Sequence, residues 1–147
     1  MELNHCAFRV SRDAFDFVIT LFTEKLGFRV LRRKEPGTVW MRQGNISVDI
    51  QLCASTTAAE TRWVLGRLRG SRRFPWRKTD KFRSQISFLS DEPESDFMRL
   101  GTWIEGMGYR PVIRAFSDKE FFLDIPGVFV DFIIEAMTPD CADYGNA

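Results

Sequence analysis

The chain has 147 residues, 44% hydrophobic and 28% charged, with a formal net charge of +1. That composition suits one domain or two small intimate modules and excludes a disordered chain, and near-zero charge removes the demand for a polyanionic partner. Cys6, Cys53 and Cys141 stand at no metal spacing and cannot all pair, no apolar run reaches membrane-spanning length, and no charged segment followed by an apolar one opens the chain, so a cytoplasmic protein without a signal peptide is expected.

Residues 3–10, LNHCAFRV, alternate as a strand does: Leu3, His5, Ala7 and Arg9 face one way, Asn4, Cys6, Phe8 and Val10 the other. Ser11 or Asp13 offers an N-cap to a helix striped by Phe15, Val18, Ile19, Phe22 and Leu26, which Gly27 stops. Strands are then expected at 28–33, 39–43 and 46–52, separated by the turn signals Pro36-Gly37 and Gly44-Asn45. In the last of these, Ile46, Val48, Ile50 and Leu52 share one face and Ser47, Asp49 and Gln51 the other.

Residues 53–82 break the pattern and read as a connector, with a helix over about 57–69 that Gly66 weakens. Over 62–83 the chain carries nine Lys or Arg and one acid, Asp80, interleaved with Trp63, Phe74, Trp76 and Phe82. Basic residues between aromatics suit single-stranded nucleic acid, but the near-zero net charge favours a solvated loop that packs a few rings on the domain.

The second half repeats the first. QISFLS is a strand, Asp91 an N-cap candidate, and Pro93 suits a first helical turn. Phe97, Leu100, Ile104 and Met107 form the helical stripe and Gly108 ends it. YRPVIR, EFFLDI and VFVDFIIEA follow as three strands, with Pro126-Gly127 turning between the last two. Gly27 lies 22 residues after His5 and Gly108 lies 23 after Gln85; Asp49 lies 44 after His5 and Asp131 lies 46 after Gln85. Matching order and period argue two copies of one strand-helix-strand-strand-strand unit. The modules span 1–52 and 83–137, the connector 53–82 and a tail 138–147, all within one structural domain.

NHCAFRV, EKLGFRVLRR, SQISFLSDE and DIPGVFVDFIIEA together resemble the vicinal oxygen chelate superfamily, which contains glyoxalase I, bleomycin-resistance-type binding proteins and extradiol dioxygenases. The resemblance covers about residues 3–136 and implies an α+β fold: two βαβββ modules whose curled mixed sheets surround a shared cavity. It implies a homodimer, and a connector that serves as a lid, with Trp76 closing a cavity, or as part of a dimer seam. In metal-using members four side chains enter that cavity, and the matching positions here are His5, Asp49, Gln85 and Asp131. The strand alternation independently turns each of them away from the helix side.

Two functions follow. One is a small-molecule-binding protein whose partly aromatic or anionic ligand meets His5, Arg9, Trp40, Arg42, Asp49, Trp76, Gln85, Leu89, Phe129, Asp131 and Ile133, with Phe121 and Leu123 joining them. The alternative is a lyase, isomerase or dioxygenase in which His5, Asp49, Gln85 and Asp131 hold zinc, nickel, iron or manganese and a substrate chelates it through vicinal oxygens. The binding reading needs less. Metal-using members usually place Glu where Asp49 and Asp131 stand, and the missing methylene shortens the reach by ~1 Å against a coordination tolerance of about 0.2 Å.

Overall fold

The computed structural model describes residues 4–45, 48–55 and 84–141. It divides into two units, Met1–Phe74 with Gly127–Asp131, and Pro75–Pro126 with Phe132–Ala147.

In the first unit β1 (His5–Ser11) leads through a single 3-10 turn into α1 (Phe15–Thr20), which continues as a wider π-type turn over Leu21–Lys25. Then come β2 (Phe28–Lys34), β3 (Thr38–Gln43) and β4 (Asp49–Ser55). The sheet order is β1-β4-β3-β2, with β1 parallel to β4 and the other pairs antiparallel. A parallel pair needs a crossover, which α1 and the β2–β3 hairpin supply. The helical segment buries Phe15, Phe17, Val18, Leu21 and Phe22, while the sheet buries Val10, Val39, Met41, Ile50 and Leu52 on one face. The Gln43 amide donates to the Leu26 carbonyl at 2.7 Å, tying the helix end to β3. Gly27, at φ 70°, takes the left-handed conformation that ends the helix, as expected. Ser11 precedes the 3-10 turn, but its side chain makes no capping bond.

The second unit repeats this topology. β5 (Gln85–Leu89), α2 (Pro93–Gly106), β6 (Val112–Ala115), β7 (Glu120–Asp124) and β8 (Ile133–Met137) form a sheet of order β5-β8-β7-β6, with β5 parallel to β8. The fold is therefore α+β, built from two βαβββ modules. α2 buries Phe97, Leu100 and Ile104. A Cβ at Gly101 would stand 2.9 Å from Ile113 Cδ1, so glycine lets the helix approach β6. Pro93 occupies the first turn as anticipated, but the N-cap is Glu92, not Asp91. Ser90 Oγ takes the Glu92 N–H at 3.0 Å and donates its own proton to Asp96.

Two strand boundaries differ from the sequence reading. Residues 46–52 were expected as a strand, but β4 runs from Asp49 to Ser55, so the sheet takes up residues assigned to the connector. VFVDFIIEA was expected to be one strand, yet β8 starts only at Ile133. Gly127–Asp131 belongs to the first unit, where Phe129 bridges Val10. There Ser11 N–H donates to the Val128 carbonyl at 2.8 Å and Val130 N–H to the Arg9 carbonyl at 3.0 Å. The reason is backbone satisfaction: β1 is the edge of its sheet, and its outward N–H and C=O groups find partners in this segment. Alternation runs unbroken through Asp131 and Ile133, so periodicity could not mark the handover. The expected helix at 57–69, Trp76 and tail residues 142–147 lie outside the described residues.

Candidate functional site

Directly opposed residues on neighbouring strands share a sheet face, so register defines the face of the first sheet that α1 does not cover. His5 opposes Asp49, Ala7 opposes Gln51, and Arg9 opposes Cys53. Trp40 opposes Gln51 and Thr38 opposes Cys53 across β3 and β4. On β2, Arg29 opposes Arg42, Arg32 opposes Trp40, and Lys34 opposes Thr38. The expected ligand residues His5, Arg9, Trp40, Arg42 and Asp49 thus share one surface.

Its charges are paired in a definite way. Arg42 Nε donates to Asp49 Oδ1 at 2.6 Å and Nη2 to Oδ2 at 3.2 Å. Both carboxylate oxygens of Asp49, which is 7% exposed, are therefore engaged. That hydrogen bond and the attraction behind it raise the Arg42 guanidinium above its ordinary range. Asp131 is held likewise: Oδ1 takes the Arg9 backbone N–H at 2.8 Å and Oδ2 the Arg9 Nε–H at 2.9 Å. His5 is exposed, and its Nδ1 lies 2.8 Å from Asn4 Oδ1. Trp40 is half-buried, with the Arg32 guanidinium 5.6 Å from its ring centroid. Burial pushes the Cys53 thiol up, the Thr38 hydrogen bond opposes this, and the Asp131 charge adds to it.

The four residues matched to metal ligands do not fit an ion. Asp49 and Asp131 each give both oxygens to an arginine. Gln85 stands in the second unit, opposite Ile133. By register Ile133, not Asp131, is the second-module counterpart of Asp49. Among the described residues no three His, Cys, Asp or Glu side chains gather as an ion would require.

On the second sheet, the face that carries Gln85 also carries Ser87, Leu89, Ile133 and Glu135. Ile133 is fully buried and Leu89 is 66% exposed. Phe121 and Leu123 depart from the expected placement. They share the face of Ile113, which packs against α2, and Phe121 is 5% exposed, so both are core. Phe129, paired with Val10 and 1% exposed, is likewise core.

Sequence reasoning also missed an acid pair. Glu135 is buried and accepts the Ser87 hydroxyl. Burial, then the hydrogen bond to Glu135 and its charge, push the Glu120 carboxyl up. The usable signal was two acids on consecutive strands, both at the parity of Gln85. A depression of about 600 Å³ at the start of α2 is lined by Leu89, Ser90, Asp91, Glu92, Asp96 and Pro139. There Asp96 is engaged by Ser90 and Arg99.

No family model matches the sequence, and no curated protein matches it. Solved structures do. The trypanothione-dependent glyoxalase I of Leishmania major is 17% identical at TM-score 0.54, over 96% of this chain and 88% of that one. An antibiotic-binding protein from a Streptomyces species is 13% identical at TM-score 0.52, over 95% and 96%. The fosfomycin resistance protein FosX of Mesorhizobium loti is 12% identical at TM-score 0.51, over 93% and 91%. Identities this low establish the fold alone.

Proposed function

We propose that this chain, which carries the fold of the vicinal oxygen chelate superfamily, is a small-molecule-binding protein of the glyoxalase/bleomycin-resistance type that works without a metal. Its ligand, a small organic molecule with aromatic or anionic parts, meets the helix-free face of the first sheet. Trp40 supplies the apolar surface there, and His5, Arg42 and Gln51 the directing polar groups. The observation that carries this reading is the double use of arginine: Arg42 on Asp49 and Arg9 on Asp131. Each carboxylate already has its charge answered by an arginine and a hydrogen bond on both oxygens, so binding an ion would require breaking that pair, and the pairing holds the arginine in place as part of the wall. The fold similarity to an antibiotic-binding protein is consistent with a sequestering role.

The reading extends to a homodimer, as the resemblance implies, and to a reducing cytoplasm, where the three free thiols Cys6, Cys53 and Cys141 would persist. No helix of the described residues is long and apolar enough to cross a membrane.

The test combines elemental analysis of purified protein, incubated with zinc, nickel, iron and manganese in turn, with titration of aromatic ligands followed by tryptophan fluorescence. Substoichiometric metal is expected, together with quenching that is lost in Trp40→Phe. One bound ion per chain, released by Asp49→Ala and by Asp131→Ala, would replace this reading with the metal-enzyme one.

A further inference from the structure

The sequence FRVLRRK of β2 would, as a regular strand, put Arg29, Leu31 and Arg33 on one face. The register shifts between Val30 and Arg32, leaving Leu31 as the extra residue of a bulge. Beyond it the parity reverses, so Arg32 and Lys34 join Arg29 on the helix-free face. Arg33 turns the other way, toward Asp16 and the Phe15 ring. The bulge therefore gathers three cations on the face that bears Trp40.

Arg42 and Arg9 on that face are each matched by a carboxylate. Arg29, Arg32 and Lys34 are not: among the described residues none of their side chains makes an ion pair or hydrogen bond, and all three residues are exposed. Among the described residues of this face five cations meet two carboxylates, an excess of three positive charges there on a chain whose net charge is +1. Spacing sets the scale of what would fit. Arg29 opposes Arg42 and Arg32 opposes Trp40, so the two unpaired guanidiniums start two strand positions apart on β3, about 7 Å. One planar cation already lies over an indole ring, which is a stacking platform.

We infer that the ligand of this face is an aryl anion, an arene bearing a carboxylate or phosphate. Its ring stacks at Arg32 over Trp40 and its anionic group is received by Arg29, with Lys34 adding to the attractive field. This rests on the binding reading above and specifies the ligand class.

The experiment is isothermal titration of the full chain at low salt with naphthoate, naphthyl phosphate, naphthamide and naphthylmethylamine. Naphthoate and naphthyl phosphate are expected to bind at least about tenfold tighter than naphthamide, the margin typical of charge-assisted contacts. Arg29→Gln and Arg32→Gln should each weaken naphthoate about tenfold, and Arg32→Lys should recover only part of that loss. Arg12→Gln, which removes the same charge elsewhere on the unit, should change affinity by no more than about twofold. Equal or tighter binding of naphthamide or naphthylmethylamine would overturn the aryl-anion inference and leave the binding reading standing. So would an Arg12→Gln loss as large as that of Arg29→Gln. Failure of all four probes to bind would overturn both.

Discussion

In the first module the helix-free sheet face sets His5 opposite Asp49 and Arg29 opposite Arg42; in the second the matching face sets Gln85 opposite Ile133 and Ser87 opposite Glu135. The helix-covered faces are built alike, with Val39, Met41, Ile50 and Leu52 in one and Ile86, Leu123 and Ile134 in the other. Topology is thus maintained by the buried face, where apolar area drives folding. The helix-free faces differ in charge, and that of the second module also holds the fully buried Ile133. Arginines answer acids in the first module, whereas Glu120 and Glu135 crowd each other in the second.

Breaking the shared, buried face should have the largest effect. Phe22 is fully buried and its ring lies 5.2 Å from that of Phe28. Phe22→Ala is expected to cost about 3–5 kcal/mol in urea unfolding, and Ile104→Ala in the second module about 2–5 kcal/mol. A loss below 1 kcal/mol at either position would show that module's helix to be dispensable to its core.

Backbone contacts come next. A Cβ at Gly37 would stand 2.5 Å from the Ala54 Cβ, where Ala54 N–H already donates to the Gly37 carbonyl at 2.7 Å. Gly37→Ala should destabilise by about 1–3 kcal/mol, measured the same way, because neither backbone can yield without losing that bond.

Smaller, pH-dependent effects sharpen the contrast between the open faces. A carboxyl whose folded pKa is raised binds its proton more tightly in the folded chain. Glu120 therefore contributes most below the ordinary Glu range, and that contribution is lost as pH rises through its raised value. Glu120→Gln is expected to raise the melting temperature at neutral pH by a few degrees or less and to flatten its fall with rising pH. Asp140 carries the opposite sign. A hydrogen bond from Lys119 brings it down to about 2, so its contribution holds above the ordinary Asp range and disappears as pH falls toward that value. Asp140→Asn should remove that acid-side slope in melting curves. The smallest effect belongs to the exposed pair: in double-mutant cycles Arg9–Asp131 should couple more weakly than Arg42–Asp49, because the Asp49 side chain is 10% exposed and that of Asp131 35%. Equal couplings would remove burial as the reason.

Residue order along the chain was enough to read the two βαβββ modules, the helix stops at Gly27 and Gly108, and which face of β1, β3 and β4 looks away from the helix. These are consequences of 2.0 and 3.6 periodicity and of glycine's freedom at positive φ, all local in the chain. Tertiary structure alone decided that Gly127–Asp131 would satisfy the edge of β1, that Phe121 and Phe129 would be core, and that Asp49 and Asp131 would each close on an arginine. It also decided, through one extra residue in β2, that Arg32 and not Arg33 would lie over Trp40. Alternation tells a residue which side of its strand it occupies. Only pairing with a distant strand says where the strand begins, where its register slips, and which charge stands opposite.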